Sequence, residues 1–125
     1  MKLGFANGCF DGLHAGHRFF LEKAKDQCTY LVVAINTDES VQAVKGIARP
    51  VVPLESRIRA LHHLGMAHAI LPFDGDPVPL IKALKPDVLI RGERQSSQGA
   101  ELVPVLVRLP KLHGFDSAED SDAPQ

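Results

Sequence analysis

The chain has 125 residues, 45% hydrophobic and 23% charged, with a formal net charge of −1. This length supports one core but not two. The composition excludes global disorder, and the near-neutral balance excludes nucleic acid or an acidic membrane surface held through bulk charge. Two cysteines, Cys9 and Cys28, are too few for a disulfide framework and fit a reducing compartment. Asn7, Gly8 and Asp11 break any leader-like apolar run, and the longest apolar stretch, residues 30 to 35, has strand length. The expectation is a soluble cytoplasmic protein with no membrane partner.

Residues 3 to 6 form a short apolar strand, followed by Asn7-Gly8-Cys9-Phe10-Asp11-Gly12-Leu13-His14-Ala15-Gly16-His17. Phe20, Leu21, Ala24 and Cys28 then recur at helical spacing. The pattern is strand, glycine-rich turn, helix. The glycines allow the backbone close to a ligand, and the helix start offers N–H groups and a positive dipole end suited to phosphate. His14 and His17, three apart, would share one helix face at that end. Taken singly, a glycine turn or a histidine near a helix start is commonplace. An Asp, two His and a Gly between them at a strand–helix junction point to a nucleotide-phosphate site. The four-residue spacing of Gly4, Gly8, Gly12 and Gly16 is not a membrane-helix motif, because Asp11 and His14 interrupt short apolar runs.

Residues 29 to 35 read as a strand buried on both faces, completing a β-α-β unit. Thr37 is placed to cap a helix with Asp38 and Glu39 in its first turn, Val41 and Val44 as apolar positions, Lys45 in its last turn and Gly46 at its end. Pro53 suits the first position of a helix to about Leu64, with Leu54, Ile58 and Leu61 facing the core, His62 and His63 on the surface and Gly65 as its stop. A strand follows at 68 to 71, then a turn at 72 to 75. Asp76 and Pro77 open a helix carrying Leu80, Ile81 and Leu84, which Lys85-Pro86 stops. Residues 87 to 91 form the next strand, ending in Arg91-Gly92, where an open α/β sheet takes its ligands. Residues 103 to 109 form the last, with Pro104 marking an edge or a strand start. Asp116, Glu119, Asp120 and Asp122 have no following apolar face, so 1–115 is expected to be the domain and 116–125 a disordered acidic tail. The alternation predicts an α/β fold with a parallel sheet of about five strands.

Gly8 to His17 resembles the G-x-F-D-x-x-H-x-G-H signature of the cytidylyltransferase-like nucleotidyltransferases at every fixed position. With Asn7 in front, it is similar to the heptose-phosphate adenylyltransferase (ADP-heptose synthesis) branch. Asn36-Thr37-Asp38, Lys45-Gly46, Arg49-Pro50-Val51 and residues 53 to 57 follow the order of that branch. The resemblance implies a Rossmann-like, doubly wound sheet and a homodimer. It implies transfer of a nucleoside monophosphate from ATP or CTP to a phosphorylated small-molecule acceptor, with release of pyrophosphate. It carries catalytic roles to His14, His17 and Lys45. Nucleotide contacts go to Asn7, Gly8, Cys9, Phe10, Asp11, Gly16, Arg91, Gly92, Glu93 and Ser117, and substrate contacts to Asp38 and Arg57. Mg²⁺ is the expected cofactor, with Asp11 orienting a donor or supporting the metal. An attacking phosphate is already ionised at neutral pH, so positioning and charge stabilisation can supply the catalysis.

Two stretches depart from the family pattern: Arg94-Gln95 follows Arg91-Gly92-Glu93, and Gly114-Phe115-Asp116-Ser117-Ala118 stands where a Ser-Thr-Thr-like run is usual. They leave open a nucleotide-binding protein without turnover. Within enzymes, a cytidylyltransferase acting on glycerol 3-phosphate or on choline or ethanolamine phosphate also stays open. A metal site drawn from Cys9, Asp11, His14, His17 and Cys28 is a further alternative, although the cysteines lack paired spacing.

Overall fold

A computed structural model describes residues 1–92 and 105–109. Five strands, β1 (Leu3–Gly8), β2 (Tyr30–Asn36), β3 (Ala69–Phe73), β4 (Val88–Gly92) and β5 (Val105–Leu109), form one sheet in the order β3-β2-β1-β4-β5. Every pairing is parallel, with Gly4 beside Leu31 and Val88 and Gly8 beside Ile35. Among the described residues, four helices lie between the first four strands: α1 (Ala15–Asp26), α2 (Asp38–Lys45), α3 (Leu54–Leu64) and α4 (Val78–Leu84).

Strand residues alternate between two apolar layers, as a sheet covered on both faces requires. Ala6, Leu31, Val33, Ile35, Val88 and Ile90 pack with Leu21 and Ala24 of α1 and Leu61 of α3. Phe5, Val32, Ala34 and Leu89 pack with Ile81 of α4 and with Phe73. The expected α/β, doubly wound parallel sheet is therefore the observed one.

Boundaries shift where tertiary context decides. Residues 72 and 73, read as a turn, belong to β3, with Pro72 paired to Ile35. Because β3 is an edge strand, the missing proline N–H breaks no ladder. His68, assigned to that strand, lies before it: its N–H donates to Leu31 O, and its Nδ1 accepts from Leu31 N at 2.9 Å. Pro53 caps α3 from outside, and Val44, placed on an apolar face of α2, is 49% exposed while Val41 is fully buried. Cys28 lies beyond the end of α1 and packs on Gly4 instead of continuing the helix face. Thr37 caps α2 as expected, its Oγ1 accepting from Ser40 N. β5 is an edge strand among the described residues; Val103 and Pro104, read as marking an edge or a strand start, lie outside them.

Candidate active site

The carboxyl ends of β1 and β2 and the amino end of α1 converge on the glycine-rich turn. Asn7 and Gly8 close β1, and Asn7 is wholly buried. Past Gly8 the chain reverses sharply. Phe10 takes φ +49° and Gly12 φ +89°. A bulky residue in the left-handed region is uncommon, and Phe10 is held there by complete burial, its ring edge-on to His17 at 5.5 Å. Among the turn's glycines, the one with positive φ is Gly12; Gly8 is extended and Gly16 helical.

His14 is not within the helix. It is the N-cap of α1, with extended backbone, and its Nδ1 accepts from Gly16 N at 3.0 Å. His17 lies in the first turn, 94% buried. The two imidazoles still meet, with centroids 4.1 Å apart and planes tilted by 33°. The predicted pairing survives through cap geometry instead of a shared helix face. His14 with Nδ1 as acceptor directs its Nε2 edge away from the cap, beside the amino end of α1.

Asp11 differs from the expectation of a metal support. Its Oδ2 accepts from Arg49 Nε at 2.6 Å and Val51 N at 2.8 Å, and its Oδ1 from Val52 N at 2.7 Å. The donor it orients is Arg49, with its side chain fully buried against that guanidinium. Burial by itself would raise the pKa of this carboxyl, but the amides of Val51 and Val52 and the Arg49 guanidinium outweigh it and hold the group below its ordinary value. Both oxygens are engaged by the chain, so Asp11 anchors residues 49 to 52 and does not present itself to a metal ion. Arg49, bonded to Asp11, is half-buried beside the turn.

Arg57 takes a different role from the direct substrate contact expected of it, and Asp38 is one of its partners. Arg57 is 99% buried. Nη2 donates to Asp38 Oδ1 at 2.6 Å, Nη1 to the carbonyls of Cys9 and Asn36 at 2.8 Å each, and Nε to Val52 O at 2.8 Å. Four of its donors are spent inside the protein. Asp38 Oδ1 also accepts from Leu54 N at 2.9 Å, while 44% of the Asp38 side chain stays exposed at the start of α2. Buried Cys9 donates its thiol to Asn36 Oδ1 at 3.6 Å, and Asn36 Nδ2 donates to Ser40 Oγ at 2.7 Å. Asn36 entered the sequence reading only through the Asn36-Thr37-Asp38 order, and Ser40 not at all. The available signal was an apolar strand ending in an asparagine, which once buried must be hydrogen-bonded.

Lys45 ends α2, half-buried, four residues before Arg49, and Gly46 closes the helix with φ +107°. Arg91 is a fully buried residue of β4, in register with Arg108, and Gly92 ends that strand. Glu93, the Arg94-Gln95 departure, Gly114, Asp116, Ser117 and the acidic tail lie outside the described residues. The composite metal site does not assemble. Cys28 packs over Gly4 at the amino end of β1, a strand length from the turn, and among the described residues no group of three or more His, Cys, Asp or Glu could hold a metal. No described helix is long and apolar enough to cross a membrane.

A pair of imidazoles beside a helix amino end, with Arg49 bound to Asp11 of the same turn, can bind an oligophosphate and stabilise charge on it. Comparison with known proteins agrees with that chemistry. The cytidylyltransferase-like family model matches residues 5–110. The bifunctional protein HldE of Alcanivorax borkumensis is 46% identical over 92 residues, covering 73% of this chain and 19% of the relative. The protein of the same name from Methylobacillus flagellatus is 45% identical over 106 residues, 81% of this chain and 22% of the relative. The chain thus spans about a fifth of the length of these curated relatives. A lipopolysaccharide core biosynthesis protein from Thermoplasma volcanium superposes with a TM-score of 0.79 at 26% identity, covering 90% of this chain and 98% of that one. A pantoate-beta-alanine ligase from Francisella tularensis shares the fold, with a TM-score of 0.61 at 17% identity over 92% of this chain and 61% of that one. With the signature turn, the parallel sheet and these relatives in agreement, the chain belongs to the cytidylyltransferase-like family of nucleotidyltransferases.

Proposed function

We propose that the chain transfers AMP from ATP to a sugar phosphate of the heptose-phosphate kind. The observation that carries this reading is the His14–His17 pair, 4.1 Å apart at the amino end of α1 and the carboxyl end of β1. The relatives named HldE and the order of residues 36 to 57 support the choice of branch.

In this reading an oxygen of the acceptor phosphate attacks the α-phosphorus of the triphosphate. The new P–O bond forms as the bond from the α-phosphorus to the bridging oxygen of the β-phosphate breaks, and pyrophosphate leaves with the electron pair. The acceptor is already anionic, so no general base is needed. His14 and His17 face the phosphate chain and stabilise the charge that builds on it, aided by the amides at the start of α1. Lys45, at the end of α2, and Arg49, in the segment that follows, add cationic charge. Asn7, Gly8 and Gly16 let the backbone approach the nucleotide, and the exposed part of Asp38 faces the acceptor. Asp11, its oxygens filled, does not fit as a ligand of Mg²⁺. Magnesium enters this reading as part of the triphosphate substrate, and no step is assigned to a protein-bound ion. A homodimer belongs to the same reading and is checked by sedimentation.

The test is pyrophosphate release with ATP or CTP, each with Mg²⁺, against sugar 1-phosphates and small alcohol phosphates. Release that needs ATP and a heptose or hexose 1-phosphate supports the reading. Release with CTP and glycerol, choline or ethanolamine phosphate moves the chain to the cytidylyltransferase branch. Nucleotide binding with no release from any pair replaces the reading with a binding protein.

A further inference from the structure

Val52 is gripped from both sides by buried charges of opposite sign. Its N–H donates to Asp11 Oδ1 at 2.7 Å, and its carbonyl accepts from Arg57 Nε at 2.8 Å. Arg57 Nη1 also holds the carbonyls of Cys9, in the signature turn, and Asn36, at the end of β2. One guanidinium therefore joins the turn that presents His14 and His17, the strand end that leads into α2, and the segment that follows Lys45 and Arg49. Asp11 adds a second bond between the turn and that segment through Arg49 and Val51. None of these contacts lies within a helix or a sheet ladder, so side chains supply what regular structure does not.

We infer that Arg57 is a positioning residue for phosphoryl transfer, acting with Asp11 through Val52 to hold the Lys45–Arg49 segment in fixed register with the histidine pair. The inference rests on the reading above and adds to it. Cations on one segment and imidazoles on another stabilise the same transferring phosphate only if the two segments cannot drift apart. A displacement of about 1 Å between such groups can cost on the order of 100-fold in rate. Arginine suits the task because its planar fork reaches several carbonyls at once, whereas a lysine ammonium is a point donor on a flexible stem.

The experiment compares the full chain with Arg57→Lys, Asp11→Asn and the double variant, using the nucleotide and acceptor that give release in the wild type. Arg59→Ala, in an exposed helix pair with Glu55, serves as the control and keeps wild-type rates. Per folded molecule, Arg57→Lys is expected to lower kcat about 100-fold while KM for the nucleotide moves by less than about threefold. The amides of Val51 and Val52 should lose exchange protection while Val33 in β2 keeps it. The double variant should cost little more than the worse single one, because both act on one segment. Wild-type kcat in Arg57→Lys, or multiplying losses in the double variant, overturns the inference and leaves the reading standing. If Arg57→Lys does not fold, Asp11→Asn decides: a fall in kcat of about tenfold or more with faster Val52 exchange supports the inference, and unchanged kcat overturns it. A wild-type protein silent with every pair overturns the reading and the inference together.

Discussion

Asp11 shows how much a single side chain can organise. One carboxylate binds two amides and a guanidinium from a segment about 40 residues away. Its pKa lies below the ordinary 3.8 in the folded chain. A carboxyl with a lowered folded pKa contributes stability that is complete above the unfolded value and is lost as pH falls through the folded one. The stability of the protein should therefore decline below about pH 4. Asp11→Asn should destabilise the fold by about 2–3 kcal/mol at pH 7, since it removes a buried charge that accepts from a guanidinium and two amides. It should also flatten the acid limb. Urea melts between pH 3 and 7 check both, and parallel pH profiles for variant and wild type would contradict the assignment. The Asp and both histidines of the motif were legible in the sequence. The role of Asp11 was not, because its partners lie far along the chain and no local pattern encodes them. His14 as a helix cap was equally hidden, since Ser, Thr, Asp and Asn are the usual residues there.

At the level of elements, local pattern served well wherever one face or both are apolar. Each strand core and each helix was placed by periodicity, by the Thr37 cap or by the Gly46 and Gly65 stops. The errors fall where the neighbour decides. Pro72 looked like a turn because edge status belongs to the sheet and not to the residue. Cys28 looked like a helix position because its actual contact, Gly4, is 24 residues earlier. That contact makes a test of the packing between β1 and the start of β2. A methyl group at position 4 would lie 2.6 Å from Cys28 Sγ and 2.9 Å from its Cβ. Gly4→Ala should thus cost about 1–3 kcal/mol, lowering Tm by several degrees. Adding Cys28→Ala, which removes the sulfur, should recover part of that loss. If Gly4→Ala melts like the wild type, the strand and the segment before β2 are not packed in this way. The Cys28 thiol itself is pushed up by burial, more than the Gly4 and Tyr30 backbone and the Lys2 ammonium pull it down. It stays protonated at neutral pH.

Across the whole molecule, the sheet order β3-β2-β1-β4-β5 puts β1 at the centre. The turn after the central strand thereby comes beside the carboxyl ends of β2 and β4, which are far apart in sequence. The fold class was legible because alternating strands and helices leave few topologies open. The site was legible in part. His14, His17 and Asp11 announce a phosphate by their chemistry and spacing. Arg57, Asp38 and Asn36 instead build the frame that holds the turn, a task their residue types do not reveal. The strands on both sides of β1 set where the turn emerges, and Asp11 and Arg57 then tie it to residues 49 to 52.

The central claim is that the histidine pair at the start of α1 drives nucleotidyl transfer. Its most direct test is pyrophosphate release by the wild type and His17→Gln, each with ATP, Mg²⁺ and a heptose or hexose 1-phosphate at saturation. Glutamine is preferred to alanine because His17 is buried between Phe10 and His14, and an empty site would confuse stability with rate. The account predicts steady release by the wild type and a fall of about 100-fold or more in a variant that melts cooperatively and still binds ATP. Equal rates from the two folded proteins would contradict it.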